Sequence, residues 1–259
     1  MSLRPPNSYD INHVLARFKE TSMVKRDHFQ DNLKPALAEA KNFPVFSELS
    51  NEDLEKLCEK GRVLVNSHRD VLYQVGESAH SFGFVLSGAY KLSRPTPQGD
   101  DAIVHFTTPG DFIGAFIMAH PDPKYPVTST AMGSSRFLQI PRETFLTHWK
   151  SYPELILRVQ ATLASRMGQM QYRMALQKAP LSAKVAYLLM QLADRQKDQQ
   201  ELVLPLPLTR QEIADSLGAS VESVIRVMSE WSKRGLISTS DQLIHILKPD
   251  LIISEMDFD

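Results

Sequence analysis

The chain has 259 residues, 29 basic and 30 acidic for a formal charge of −1, with 42% hydrophobic and 23% charged residues. That is the balance of an ordinary soluble globular protein with room for about two domains, and it excludes a collagen, a disordered chain and a uniformly basic coat protein. The single Cys58 cannot close an internal disulfide, hold an iron–sulfur cluster or complete a cysteine zinc site, so a reducing compartment, the cytoplasm, is expected. The first residues, MSLRPPNSYDINHV, carry no apolar signal-peptide core, and the longest apolar stretch, Val185 to Ala193, is too short to span a bilayer. No membrane partner is expected.

In chain order, residues 1–42 read as a mostly polar helical extension with two amphipathic patches, Ile11 to Phe18 and Leu33 to Ala40. Seven of the 11 glycines fall between Gly76 and Gly133. Between them lie short β-type runs, Val71–Tyr73, Phe82–Leu86 and Ala102–Phe106, followed by Arg136–Ile140. Short apolar runs punctuated by glycine predict an antiparallel β domain over residues 43–150. Near residue 140 the period changes to 3.6 and helices take over.

Tyr152-Pro153 opens a helix expected over residues 151–179, in which Ile156, Leu163 and Met170 are seven apart, with Met167 and Met174 interleaved. Such a seam, about 25 residues long, suits either an ordinary core helix or a dimer coiled coil. A second helix carries Leu181, Val185, Leu188 and Leu192 on one stripe, then a polar linker runs from Arg195 to Glu201. Residues 166–250 carry 11 basic and 9 acidic groups against 11 and 13 in 43–165, so any nucleic-acid affinity must come from a local patch.

The strongest local signal lies between Thr209 and Trp231. Thr209 and Glu212 form a capping box, Ile213 and Leu217 an apolar face, and Gly218-Ala219-Ser220 a three-residue turn whose Ser220 caps the next helix. There Val224, Val227, Met228 and Trp231 must pack inward, leaving Glu222, Arg226, Ser229 and Lys233 on the face that major-groove reading requires. Leu236-Ile237 and Leu243 to Ile246 flank polar Ser238 to Gln242, a β-hairpin wing. Residues 180–250 are therefore expected to form a winged helix-turn-helix, followed by an acidic tail, 251–259.

The sequence carries no recognisable catalytic constellation. There is no GxG, no G-x-S-x-G elbow and no H-E-x-x-H. His80 and His105 belong to the β region, but isolated histidines are expected at the surface or in hydrogen bonds rather than on a haem or metal. Asp100-Asp101 follows Pro97-Gln98-Gly99 in a hairpin turn, where acids are expected for solubility. No enzymatic activity and no metal site is expected.

From about residue 43 to 249 the chain resembles the CRP/FNR transcription regulators. The resemblance is carried by FPVFSELSNEDLEKL, FGFVLSGAYKL, TTPGDFIG, LQIPRETF and LPLTRQEIADSLGASVESVIRVMSEWSKRGLI, in that order. It implies an α+β chain with a cyclic-nucleotide-binding-type β-roll, a long dimerisation helix that makes the seam a homodimer contact, and a winged helix-turn-helix. Partners implied are double-stranded DNA and RNA polymerase.

In cyclic-nucleotide responders of that family a Gly-Glu pair and a later Arg-Ser or Arg-Thr pair hold ribose and phosphate. The matching positions are Gly114-Ala115 and Tyr125-Pro126, so cyclic AMP in the usual mode is not expected. An effector would have to use Gly114, Ala115, Phe116, Tyr125, Thr128 or Ser129, and haem or a cyclic (di)nucleotide in a rebuilt pocket stays open beside a β-roll that acts as a protein-interaction module. The family's reading segment is R-E-T-V-G-R in cyclic AMP receptors and V-E-T-I-S-R in FNR-type members. Val221-Glu-Ser-Val-Ile-Arg226 is similar to the second, implying an inverted repeat of TTGA-like half-sites. Glu222 and Arg226 are expected to read bases and Ile225 a thymine methyl, with Ser223, Lys233 and Arg210 positioning the backbone and Ser220 and Val221 also among the DNA-binding residues.

Overall fold

The computed structural model describes residues 33–97, 99–193 and 202–256. The Ile11–Phe18 patch and the Arg195–Glu201 linker lie outside the described residues. Two short helices, α1 (Leu33–Ala40) and α2 (Asn51–Leu57), lead into eight strands: β1 (Arg62–Asn66), β2 (Val71–Tyr73), β3 (Ser81–Ser87), β4 (Tyr90–Pro95), β5 (Asp101–Thr107), β6 (Phe112–Ile113), β7 (Thr128–Ala131) and β8 (Ser135–Pro141). They form two antiparallel four-stranded sheets of order β1-β8-β3-β6 and β2-β7-β4-β5. The four runs expected from sequence are β2, β3, β5 and β8. Of the other strands, β6 has only two residues and β7 reads Thr-Ser-Thr-Ala, too short or too polar to show a period of two.

An aromatic cluster fills the β-roll. Phe84 meets Phe43, Phe46 and Phe112 edge-on at ring-centroid distances of 4.9, 5.0 and 5.2 Å. Trp149 is fully buried against Phe82 and Phe112, and its indole N–H donates to the Leu57 carbonyl at 2.9 Å. Edge-to-face contacts of this kind add to the area term.

The β4–β5 pair breaks register. Leu92 lies opposite His105 and Ser93 opposite Ile103, so Val104 is an extra residue, a β-bulge. The bulge turns Val104 and His105 to one side of the sheet and leaves Ile103 and Phe106 buried on the other.

Beyond α3 (Arg142–His148) comes the long helix α4 (Pro153–Ala175), whose Pro153 at the first position needs no amide partner. A 3-10 turn, Leu176–Lys178, and Pro180 separate it from α5 (Leu181–Ala193). The winged unit comprises β9 (Leu202–Val203), α6 (Arg210–Leu217), α7 (Val221–Lys233), β10 (Ile237–Ser240), β11 (Leu243–Ile246) and α8 (Pro249–Ser254).

Three expectations are corrected here. Ser238–Ser240 belong to strand β10, and the wing turn is only Asp241-Gln242, both at positive φ, 49° and 66°, as a primed two-residue hairpin turn requires. The wing gains a third strand, β9, from beside the linker. Residues 249–254 are helical with Ile252 fully buried, so the start of the supposed tail is part of the winged unit's packing.

Ala89, Ile103, Phe106 and Met132 of the β-roll share one hydrophobic core with Leu188, Leu204, Ile213 and Trp231 of the winged unit. The two parts therefore bury apolar surface against each other directly. Among the described residues no helix is long and apolar enough to cross a membrane.

Trp149→Phe should lose about 2–3 kcal/mol of unfolding free energy, because it leaves a void and strips the buried Leu57 carbonyl of its donor. Urea unfolding checks this; an unchanged midpoint would show that the indole is not an anchor.

Candidate functional site

Two places gather functional side chains: the outward face of α7 and a cavity between the β-roll and α4. The α6–α7 unit is set by local chemistry. The Thr209 hydroxyl accepts from the Glu212 amide at 3.1 Å while the Glu212 carboxylate accepts from the Thr209 amide at 3.1 Å, the expected capping box. Gly218 ends α6 at φ 61°, a left-handed position that suits glycine, and the Ser220 hydroxyl accepts from the Ser223 amide at 3.3 Å to start α7.

Helix α7 spans 13 residues, roughly 20 Å, long enough to lie along a major groove. Val224, Met228 and Trp231 are buried and Val227 is half-buried against the same core. Glu222, Ile225, Arg226, Ser229 and Lys233 are exposed, with Ile225 at 48%. Among the described residues no hydrogen bond or ion pair engages the side chains of Glu222, Arg226 or Lys233. The neighbouring Arg234 is instead committed to Glu230 and Glu255 at 3.5 and 2.7 Å.

The other candidates on this unit divide. Ser223 is half-buried and holds the Ser220 hydroxyl at 2.9 Å. Val221 is half-buried against the core, so its side chain is turned largely inward at the first turn of the helix. Arg210 reaches across to the wing, donating to the Thr239 hydroxyl at 3.1 Å. Thr239 went unnoticed in the sequence, where nothing marks a wing residue as facing α6.

Lys91 of β4 donates to the Glu212 carboxylate at 3.0 Å. One buried carboxylate thus caps the first helix of the reading unit and ties it to the β-roll. Burial alone would raise its pKa, but hydrogen bonds from Thr209 and Lys91, with the Lys91 charge, hold it below 4.5.

The cavity has a volume of about 250 Å³. Leu92 and Arg94 reach it from one face of β4, Val104 and His105 from the bulge, and Leu163, Arg166, Met167 and Met170 from α4. Of the expected pocket residues, Gly114, Phe116, Tyr125 and Ser129 line it. Ala115 faces a smaller adjoining recess, and Thr128 is drawn away, its hydroxyl accepting from the Val75 amide at 3.2 Å. The Tyr125 phenol donates to the Ser81 carbonyl at 2.6 Å, and its ring stacks on Tyr73 at 4.1 Å. Arg94, Val104, His105 and Arg166 were missed as lining because their orientation depends on the bulge and on where α4 docks.

Helix α4 is pinned to the β-roll by two arginines two turns apart. Arg166 pairs with Asp111 at 3.0 Å and donates to the Phe112 carbonyl at 3.1 Å. Arg173 donates to the carbonyl of Val104, the bulged residue. The expected seam consequently divides: Ile156 packs on the β-roll core and Leu163 is half-buried in the cavity wall, whereas Met167, Met170 and Met174 are 53, 49 and 68% exposed.

His80 is exposed, and among the described residues no three His, Cys, Asp or Glu side chains converge on a metal-sized site. Burial pushes the Cys58 thiol up to about 12, which makes it a poor nucleophile.

A β-roll, a long helix and a winged helix-turn-helix in one chain define a DNA-binding transcription regulator. The model of the cyclic nucleotide-binding domain matches residues 67–152 and that of the Crp-like helix-turn-helix domain residues 183–252. The chain is 28% identical over 209 residues to the nitrogen fixation regulation protein FixK of Bradyrhizobium diazoefficiens, covering 79% of this chain and 86% of that protein. It is 27% identical to the transcriptional activatory protein AadR of Rhodopseudomonas palustris, covering 77% and 82%. The structure of FixK2 from Bradyrhizobium japonicum superposes with a TM-score of 0.66 at 18% identity, over 77% of this chain and 98% of that one. A CRP-family regulator from Thermus thermophilus gives 0.60 at 24%, over 74% and 95%. The chain belongs to the CRP/FNR family of transcription regulators. The matched domains and relatives are regulators, not enzymes.

Because the folded pKa of Glu212 is depressed, its contribution is complete above 4.5, the ordinary value, and is lost as pH falls through the lower folded value. Glu212→Gln should therefore lower stability by about 1–2 kcal/mol at pH 7, and the gap to wild type should close in the acid range below pH 4.5. Denaturant titrations at several pH values check this; a gap independent of pH would remove the ionised pair from the account.

Proposed function

We propose that the chain acts in the cytoplasm as a homodimeric, sequence-specific regulator that recruits or blocks RNA polymerase at promoter DNA, with a sensor cavity that does not take cyclic AMP in the usual mode. The observation that carries the DNA reading is the outward face of α7, where Glu222, Ile225, Arg226 and Lys233 are exposed with the three charged groups uncommitted among the described residues. An Arg fork at position 226 can take guanine O6 and N7. Glu222, one turn earlier, would meet phosphate repulsion unless it accepts from a cytosine amino group. Together they suit a TTGA-like half-site, with Ile225 against a thymine methyl and Ser220, Ser223, Lys233 and Arg210 near the backbone.

Two-fold pairing supplies the inverted repeat. Met167, Met170 and Met174 leave an exposed apolar stripe on α4, the kind of surface a second copy covers in a parallel helix pair. Half-sites would then lie about one helical turn apart. For cyclic AMP, the resemblance puts a carboxylate at Ala115 and a cation at Tyr125. Ala115 is buried outside the main cavity, and the Tyr125 phenol is spent on the Ser81 carbonyl. A cyclic phosphate would there lose its charge-assisted bonds.

Binding-site selection should return an inverted repeat occupied by two chains per duplex in sedimentation. Arg226→Ala should cost about 1–3 kcal/mol and relax preference at one G·C pair, while Lys233→Ala should weaken all sequences alike and reduce the salt slope by about 1. A selected site without two-fold symmetry, or an unchanged preference in Arg226→Ala, would contradict the assignment.

A further inference from the structure

The cavity against α4 has a chemistry of its own. Its walls are dominated by apolar side chains, among them Leu92, Val104, Phe116, Val127, Leu163 and Met167, and no Asp or Glu lines it. Two arginines do. The guanidinium of Arg166 is ion-paired with the Asp111 carboxylate and donates to the Phe112 carbonyl, and its Nε has no hydrogen-bond partner among the described residues. Arg94 is exposed, and no hydrogen bond or ion pair engages it among the described residues. A planar fork of five donors at the rim of an apolar hollow is complementary to a carboxylate whose hydrocarbon body lies inward.

Size narrows the class. At about 250 Å³ the hollow falls just short of the range typical of drug-sized ligands, roughly 300–1,000 Å³. That scale suits a compact ligand. The cavity's polar lining besides the arginines is the His105 ring, the Tyr125 phenol and the Ser129 hydroxyl.

We propose that this cavity binds a small organic acid, an aliphatic or aryl monocarboxylate smaller than a nucleotide, whose carboxylate is held by Arg94 at the rim and whose apolar body fills the space against Val104, Phe116 and Met167. The proposal rests on the reading of the chain as a DNA-binding regulator and names the ligand class of its sensor. Val104 and His105 form the cavity side of the bulge whose other side, Ile103 and Phe106, lies in the core shared with α6 and α7. An occupant pressing on the bulge therefore acts on the reading unit through one strand.

Calorimetry on the full chain with octanoate, phenylacetate, 1-octanol and cyclic AMP tests this, with DNA affinity measured by fluorescence anisotropy in the same buffers. At least one of the two acids should bind at least tenfold more tightly than 1-octanol or cyclic AMP and should change DNA affinity. Arg94→Gln should weaken that acid at least tenfold while leaving 1-octanol unchanged, and Arg94→Lys should restore part of the loss. Equal binding of acid and alcohol, an acid affinity unmoved by Arg94→Gln, tighter binding of cyclic AMP, or no acid binding by a chain that still binds its DNA site would each overturn the ligand class and leave the regulator reading standing. Failure of the untreated and acid-treated chain to bind any DNA specifically would instead overturn the regulator reading, and the proposal with it.

Discussion

Strand β5 has to satisfy two environments at once. A regular strand alternates its side chains, which would put Ile103 and His105 on one face and Val104 and Phe106 on the other. The register break at Val104 resets that alternation, so that Ile103 and Phe106 both reach the core shared with the winged unit while Val104 and His105 both face the cavity. Without the extra residue one of the two apolar side chains would be withdrawn from that core.

The neighbouring contacts follow from this arrangement. A bulge leaves backbone groups outside the ladder, and the Val104 carbonyl is taken by Arg173, which fastens the C-terminal half of α4 to the same strand. On the adjacent strand, Leu92 and Arg94 point into the cavity and Lys91 to the opposite side, where it meets Glu212 at the first turn of α6. Cavity, long helix and reading unit therefore meet across two strands. The exposed Arg226 and Glu222 are carried on a helix whose inner face, through Val224, Met228 and Trp231, is embedded in the core that β5 completes.

Much of this was legible in the sequence where the cause is local. The capping box at Thr209, the Ser220 cap and the Gly218 turn each depend on residues within four positions of one another, and the inward stripe of α7 on successive steps of three or four. The runs that became β2, β3, β5 and β8 carry their own alternation or β-branching. What depends on distant partners did not show: the bulge exists only in register with β4, and Arg94 lines the cavity only because β4 and α4 enclose it. Ile156 and Leu163 fit a seven-residue repeat, yet the β-roll claims them, since a period cannot say which of two apolar surfaces a helix stripe meets. Val221 belongs to the DNA-binding segment in sequence, yet the first turn of α7 directs its side chain toward the core. The tail assignment failed for a similar reason, because Pro249–Ser254 is a short helix anchored by Ile252.

Sensor and reader share one hydrophobic core through β5 and should behave as one cooperative body. Hydrogen exchange on Phe106→Ala tests this most directly, because the substitution removes a β-roll side chain from the shared core without touching the winged sequence. Faster exchange that spreads from β5 into the amides of α6 and α7 is the predicted result. Acceleration confined to the β-roll, with α6 and α7 protected as in the wild type, would contradict that cooperativity.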